Sequence, residues 1–366
     1  MKVTQKKSFK NTKIFQALSR HRVVVLLIFG ALLISGALIT AFHLLQPSIS
    51  SSGEITFSPK AAEKHYSLLT GVEVADEESI TKPTTVVVLE NSPEARPQSG
   101  LKQAEVVYEA IAEGGITRFL AIYQQNTPGL VGPVRSLRMY YVDWLAPYDA
   151  SVAHVGGSAS ALNEIRNGNY RDIDQMSNPN AYWRASDRYA PHNVYTSFER
   201  IAALNSEKGY TQSNFEGFRR KTSSKTQPVS ESQPTAATNV QINFGSQPTY
   251  NTRYEYNAES KTYNRFQADA PHLDREEGAL SPSVVIALDV QMSRVQEDGY
   301  RESITTTGQG TARVFQNGEV IEGIWRKDSR QDQLKFFTAD GAELPLEAGQ
   351  TWIAAVPQNG GSVSWQ

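Results

Sequence analysis

The chain of 366 residues contains no cysteine. Disulfides and thiolate chemistry are therefore excluded, and so is an anchor made by attaching lipid to a cysteine. Acidic residues are missing from the first 53 positions, which hold seven lysines and arginines, so residues 54–366 carry 29 basic and 38 acidic side chains. A basic tail on an acidic body argues against general nucleic-acid binding, and we expect no nucleic-acid partner.

One long run, residues 23–45, contains no lysine, arginine, aspartate or glutamate and is long enough to span a bilayer. Basic residues precede this run, so the positive-inside rule places residues 1–22 in the cytoplasm as a basic tail and the bulk of the chain outside. A cleaved signal peptide is the alternative. Its apolar core usually has about 7–15 residues, which favours an uncleaved signal anchor in the cell membrane.

The remaining chain divides by composition. A continuous β-branched run, TTVVVL at 84–89, indicates a buried strand, and helical patterns precede and follow it. Turn pairs at Asn317-Gly318 and Asp340-Gly341 indicate hairpins near the C-terminus. The predicted fold class is α+β, with a mixed α/β domain and a mostly antiparallel β domain behind one transmembrane helix. The predicted segments are a tether at 46–71, the α/β domain at 72–210, a low-complexity linker at 211–239 and the β-rich domain at 240–366.

The chain is organised around residues 109–138, where two β-rich runs at 106–112 and 116–123 flank Gly114-Gly115. Two adjacent glycines are typical of a hairpin turn, because both central positions need positive φ. A helix that ends at Gly114 is the alternative. The hairpin predicts that Arg118 lies on the same face as two glutamates. The predicted cross-strand pairs are Glu113 with Ile116, Ile111 with Arg118, and Glu109 with Leu120.

Three arginines in this segment, Arg118, Arg135 and Arg138, suit an oxyanion pocket better than a core, because guanidinium groups are costly to bury and bind carboxylate or phosphate bidentately. Glu109 and Glu113 would orient them towards an anion. The alternative is a static ion-pair network that fixes the register of the hairpin.

A second candidate element is the sequence His154, Gly156, Gly157 and Ser158. A strand, a Gly-Gly turn and a helix N-terminus expose free amide N–H groups, which favour an anion. We predict that Ser158 or Ser160 caps a helix that ends near Asn167. An ordinary connection between a strand and a helix is the alternative.

Two loops supply further candidates. Arg96 lies in the loop at 91–100, and His192 lies in a long polar and aromatic segment at 172–196. Long loops that carry charged and aromatic groups are often functional. His192 is a candidate base or anion ligand, with a structural role as the alternative.

Several motifs resemble the YerB-like family of bacterial envelope proteins. They are ARPQSGL (95–101), EGGITRFLAIY (113–123), GPVRSLR (132–138), HVGGS (154–158), APHNVYT (190–196), GTARVFQNGEVIEGIWRKD (310–328) and GQTWIAAVP (349–357). The resemblance implies an extracytoplasmic location and two domains of unknown function. Members are typically lipoproteins, whereas this chain lacks the lipid-bearing cysteine.

The outline of a basic tail, one membrane span and arginine-bearing strands is also similar to the LytR-CpsA-Psr phosphotransferases. Two classes of function follow. The first is a non-catalytic module that binds an anionic cell-wall component or an envelope protein and needs no cofactor. The second is a glycopolymer phosphotransferase, in which a divalent metal would sit on Glu109 or Glu113. A third alternative is a purely structural ion-pair cluster, with function in protein–protein contacts.

Overall fold

The computed structural model describes residues 45–49, 55–59, 63–221, 235–294 and 301–366. The predicted basic tail and all but the last residue of the predicted anchor at 23–45 lie outside these residues, as does the middle of the predicted linker. Within the described ranges, no helix combines the length and apolar character that a membrane crossing requires.

The chain divides into two compact units, Met1–Glu63 and Lys64–Gln366. In the first unit, β1 (Leu45–Ile49) and β2 (Ile55–Pro59) form a two-stranded antiparallel sheet. The second unit carries all the other described elements.

The first region of the second unit alternates strands and helices. Its strands are β3 (His65–Tyr66), β4 (Glu73–Val74), β5 (Thr85–Glu90), β6 (Val106–Glu113), β7 (Ile116–Tyr123), β8 (Ser151–Ala153), β9 (Arg171–Asp172), β10 (Tyr182–Arg184) and β11 (Val194–Thr196). Its α-helices are α1 (Glu77–Ile80), α2 (Met139–Leu145), α3 (Ala159–Asn167) and α4 (Phe198–Glu207), with 3-10 turns at Pro93–Ala95, Ala146–Tyr148 and Pro179–Ala181.

The second region consists of strands and one 3-10 turn, Pro248–Tyr250. The strands are β12 (Thr235–Ala236), β13 (Asn239–Asn243), β14 (Thr252–Asn257), β15 (Thr262–Gln267), β16 (Ala270–Pro271), β17 (Leu273–Asp274), β18 (Gly278–Ala279), β19 (Val284–Val290), β20 (Met292–Arg294), β21 (Glu302–Ile304), β22 (Gly308–Gln316), β23 (Glu319–Lys327), β24 (Lys335–Thr338), β25 (Thr351–Pro357) and β26 (Ser362–Trp365). The prediction of a mixed α/β region followed by mostly antiparallel strands is confirmed.

One large sheet joins the two regions. Its strand order is β12-β23-β22-β19-β25-β6-β7-β5-β8-β9, and β24 pairs with β23. The two regions are joined by the parallel pairing of β25 with β6. Strand β25 is also parallel to β19, and this pair departs from the antiparallel pairing predicted for the second region. The predicted domain boundaries 72–210 and 240–366 stay predictions.

Both faces of the large sheet are buried along its central strands β5, β6, β7 and β25. Along β5, Val86 and Val88 pack into one hydrophobic cluster, and Val87 and Leu89 pack into another. This explains why the strand reads as a continuous apolar run, since side chains alternate between faces and each face meets a core. Helices α2 and α3 contribute to the first cluster. Helix α4 and a five-stranded sheet, ordered β16-β15-β14-β13-β26, contribute to the second.

The Gly-Gly hairpin is confirmed, and the alternative helix is wrong. Gly114 and Gly115 have φ of 59° and 79°, as the turn requires. The predicted pair of Glu113 with Ile116 is present, but a β-bulge between Ile111 and Glu113 shifts the rest of the ladder by one residue. The observed pairs are Ile111 with Thr117, Ala110 with Arg118, Glu109 with Phe119, and Tyr108 with Leu120.

The bulge overturns the prediction that Arg118 shares a face with both glutamates. One extra residue in a strand sends every side chain beyond it to the other face. Glu109 therefore points to the face that carries Trp352, whereas Glu113 contacts Arg138 at the start of α2.

Candidate functional site

The first group of predicted site residues forms an ion-pair cluster of Glu113, Arg118 and Arg138. The Nη2 of Arg118 lies 2.9 Å from Glu113 Oε1, and Arg138 binds both Glu113 oxygens at 2.6 to 3.1 Å through Nε and Nη2. Burial opposes charge on Glu113, but the two arginines outweigh it and hold its pKa below the usual value. Both carboxylate oxygens are therefore engaged.

Glu109 belongs to a second group on the opposite face of the sheet, which we call the buried ring. Its members are nine-tenths or more buried. They are Asn91, Gln98, Glu109, Thr117, Arg265 and His272, and their hydrogen bonds form a closed circuit.

Five of the six hydrogen bonds of the buried ring run in one direction from Arg265 to Glu109, and the sixth also starts at Arg265 and ends on Glu109. Arg265 Nε donates to His272 Nδ1 at 2.9 Å, so the neutral imidazole carries its proton on Nε2, which donates to Gln98 Oε1 at 3.0 Å. Burial, together with the nearby Arg265, lowers the pKa of His272 well below its usual value, consistent with this neutral form. The circuit continues through Asn91 and Thr117 to Glu109.

Glu109 closes the buried ring. Its Oε2 accepts from Arg265 Nη2 at 2.8 Å and from Trp352 Nε1 at 3.0 Å, while Thr117 donates to Oε1 at 2.9 Å. Arg265 also lies over the Trp352 ring, 4.0 Å from its centroid. Oε2 thus joins the two regions of the chain, whereas Oε1 is held within the hairpin.

A third group surrounds Glu90, the last residue of β5. Its Oε1 is 3.0 Å from Arg135 Nη2 and 2.9 Å from both His192 Nδ1 and Ser92 Oγ. Glu90 is 4% exposed, and its Oε2 has no hydrogen-bond partner among the described residues. The carboxylate orients the imidazole by accepting from Nδ1–H, and in a neutral imidazole held this way Nε2 carries the lone pair.

His192 also lines a cleft of about 470 Å³, which we call the arginine cleft. It is lined by Glu94, Arg96, Pro97, Asp187, Arg188, Tyr189, His192 and Arg275. The predicted residues Arg96 and His192 thus meet in one place, although they are 96 positions apart in sequence. Arg188 and Arg275 were not among the predicted site residues.

The arginines of this cleft are held in different ways. Arg96 donates to the side chain and backbone oxygens of Asn91, and Arg188 donates to the backbone oxygens of Glu94 and Pro97. Arg275 instead pairs with Asp187 at 2.5 Å. Burial lowers the pKa of Arg96. Two of the three guanidinium groups are therefore positioned by uncharged acceptors.

The Gly-Gly loop leads into α3 as predicted. Ser158 is the N-cap and accepts from the backbone N–H of Ala161, and the helix ends at Asn167. His154 is fully buried, with Nδ1 2.8 Å from the Gly156 oxygen and Nε2 3.0 Å from Asp172 Oδ1.

The polar atoms of His154, Asp172 and Asp174 all lie within 4.8 Å of one another and are candidate metal ligands. The Asp174 carboxylate, however, also accepts from Ser177 and from Arg166, whose positive charge opposes a metal cation. Gly156, Gly157 and Ser158 lie in the loop that follows His154, and they are not among the residues that line the arginine cleft.

Two residues of these groups, Glu90 and Arg265, were not predicted from the sequence, and only Glu90 has a local sequence signal. Glu90 follows the apolar run TVVVL directly, and a carboxylate at the end of a buried strand needs partners. Arg265 lies in an alternating strand, where its burial depends on contacts more than 150 residues away.

The chain matches two family models, "Protein of unknown function (DUF3048) N-terminal domain" at residues 69–211 and "Protein of unknown function (DUF3048) C-terminal domain" at residues 240–353. It is 34% identical over 307 residues to the Bacillus subtilis (strain 168) protein named "Putative lipoprotein YerB", which covers 82% of this chain and 88% of that protein. It is also similar to the crystal structure of YerB protein from Bacillus subtilis, with 31% identity and a TM-score of 0.73 over 82% of this chain and 100% of the other.

Proposed function

The chain belongs to the DUF3048 family of two-domain, YerB-like proteins, and we propose that it binds a carboxylate- or phosphate-bearing ligand of the cell envelope in the arginine cleft. The observation that supports this proposal is the way two guanidinium groups are held. Among the described residues, neither Arg96 nor Arg188 forms an ion pair. Glu94 lines the same cleft, but only its backbone oxygen contacts Arg188.

The two guanidinium groups are thus preorganised to bind an anion. Backbone carbonyl oxygens fix the guanidinium planes without neutralising their charge, so little ordering remains to be done when a ligand arrives. A carboxylate or phosphate that enters the cleft would gain charge-assisted hydrogen bonds from groups already in place. This chemistry is shared by cell-wall components and by acidic segments of envelope proteins.

The binding proposal has a direct test. Isothermal titration of the detergent-solubilised full chain with inorganic pyrophosphate and with citrate should give saturable binding. Arg96→Gln and Arg188→Gln should each weaken it at least tenfold, because a hydrogen bond to a charged group contributes about 1.5–3 kcal/mol. Arg326→Gln is the matched control, since Arg326 is exposed and lies near Asp328. Equal affinities for all three variants would refute the proposal.

We propose an extracytoplasmic location with a protein anchor. The name of the Bacillus subtilis relative includes the word lipoprotein. This chain has no cysteine to carry a lipid, but its run at 23–45, which has no lysine, arginine, aspartate or glutamate, is long enough to serve as the membrane anchor instead. Alkaline phosphatase joined to the C-terminus should be active, and the chain should remain in the membrane fraction after a salt wash. An inactive fusion would contradict this orientation.

The phosphotransferase alternative loses the feature on which it depended. It required a free carboxylate for a divalent metal at Glu109 or Glu113, and both are engaged by arginines. The Glu113 cluster fits the third alternative, an ion-pair group that stabilises the fold.

A second candidate function rests on the contact between Glu90 and His192. A carboxylate-oriented imidazole beside arginines is suited to general-base hydrolysis, in which Nε2 takes a proton from water. Hydrolysis of bis(p-nitrophenyl) phosphate that disappears in His192→Asn and falls strongly in Glu90→Gln would favour this candidate. Activity that persists in His192→Asn would exclude it.

A further inference from the structure

A second cleft of about 360 Å³ lies beside the arginine cleft, and we call it the tryptophan cleft. Its lining includes Trp183, Arg184, Asp187 and Arg275. The two clefts share Asp187 and Arg275. The ion pair between these two residues is therefore the common wall of both clefts.

That wall is easily opened. The side chains of Arg275 and Asp187 are 37% and 49% exposed, so water competes with the pair and its contribution to stability is small. An anionic ligand can take the place of Asp187 on Arg275 at little cost, because one carboxylate contact is exchanged for another. Opening the pair would join the two clefts into one groove.

Each cleft carries an aromatic residue as well as arginine. Tyr189 in the arginine cleft is 92% exposed, whereas Trp183 in the tryptophan cleft is half-buried, with Arg200 over one face of its ring, 4.7 Å from the centroid. An aromatic ring that stays exposed beside cations offers a flat apolar surface next to charge. The apolar face of a sugar ring can pack on the aromatic ring, and an acidic substituent of the sugar can bind the arginine.

We propose that the two clefts are neighbouring subsites for a linear acidic glycan, whose anionic groups bind the arginines and displace Asp187 from Arg275. This inference rests on the proposed binding function and deepens it by naming the ligand class. It predicts that affinity grows with chain length, since a short ligand fills only one cleft.

The test compares probes of different length on the full chain. Titration with galacturonic acid, its hexamer and neutral maltohexaose should give at least tenfold tighter binding of the acidic hexamer than of the monomer, and no binding of maltohexaose. Trp183→Leu and Arg184→Gln should weaken the hexamer at least fivefold and leave the monomer unchanged, whereas Arg96→Gln should weaken both.

Three further variants, one of them a control, keep the test decisive. Asp187→Ala should strengthen binding of the hexamer at least threefold, and Asp328→Ala, in another exposed arginine–aspartate pair, should not. Tyr189→Ala changes an exposed side chain, so a loss of hexamer binding without a change in thermal midpoint would report a ligand contact.

The outcomes separate the two proposals. Binding of galacturonic acid with no gain from length, or with no effect of Trp183→Leu, overturns the joined groove and leaves the anion-binding function standing. Tighter binding of a glycerol-phosphate oligomer than of the acidic glycan overturns the ligand class. Absence of binding by every anion overturns both.

Discussion

Replacing Arg265 by methionine removes the cation of the buried ring and leaves the Glu109 carboxylate buried without its ion pair. Arg265 is 1% and Glu109 0% exposed, so water cannot replace the lost contact. Removing one partner of a buried pair costs about 3–5 kcal/mol, because the other charge stays uncompensated. We expect Arg265→Met to lower the free energy of unfolding by about that amount.

Urea denaturation followed by tryptophan fluorescence measures this loss, and Arg326→Met, at an exposed pair, should cost no more than about 1 kcal/mol. The double variant Glu109→Gln, Arg265→Met should be less destabilised than the sum of the two single variants by at least about 1 kcal/mol, because the stranded charge is gone. A loss below about 1 kcal/mol for Arg265→Met, or simple additivity, would refute the role assigned to the ring.

Three other predictions concern stability. Glu113→Gln should cost about 2–3 kcal/mol in urea denaturation, because it leaves two nearly buried arginines without a carboxylate, whereas Glu322→Gln, at an exposed side chain 3.9 Å from Arg313, should have almost no effect. Ser158→Ala should cost about 1 kcal/mol through loss of the α3 cap, and Ser158→Asp should retain most of the stability. His272 binds a proton more readily in the unfolded chain than in the folded one, so its contribution to stability is present above about pH 6.5 and lost as the pH falls below that value. His272→Gln should flatten the slope of the free energy of unfolding against pH below that value. An unchanged slope would contradict the buried neutral imidazole.

Local features of the structure were predictable where a single residue type decides the geometry. Gly114-Gly115 indicated the hairpin because other residues rarely adopt positive φ twice in succession, and Ser158 indicated the start of α3 because its hydroxyl satisfies a free N–H. The TVVVL run indicated a strand buried on both faces. In each case the deciding interactions lie within a few residues.

The register of the hairpin was not predictable by counting. The bulge adds one residue between Ile111 and Glu113, and alternation alone carries no sign of it. The prediction therefore placed Glu109 and Glu113 on one face, although one joins the buried ring and the other contacts α2.

The composition of the candidate site depends on contacts between distant segments. Arg118, Arg135 and Arg138 are close in sequence, but Arg135 pairs with Glu90 while the other two pair with Glu113. Arg275 reaches the arginine cleft from the second region. Proximity in sequence favoured one cluster, whereas the topology of the sheet distributes these charges among several.

The parallel pairing of β6 with β25 has a consequence for how the chain is made. Thr351 lies opposite Val106, which leaves the ribosome 245 residues earlier, so the centre of the large sheet cannot close until synthesis is almost complete. Until then one edge of β6 keeps unpaired backbone groups and an apolar surface, a state prone to intermolecular strand pairing. Products cut short before residue 351 should therefore accumulate as aggregates, because β6 has no β25 to pair with.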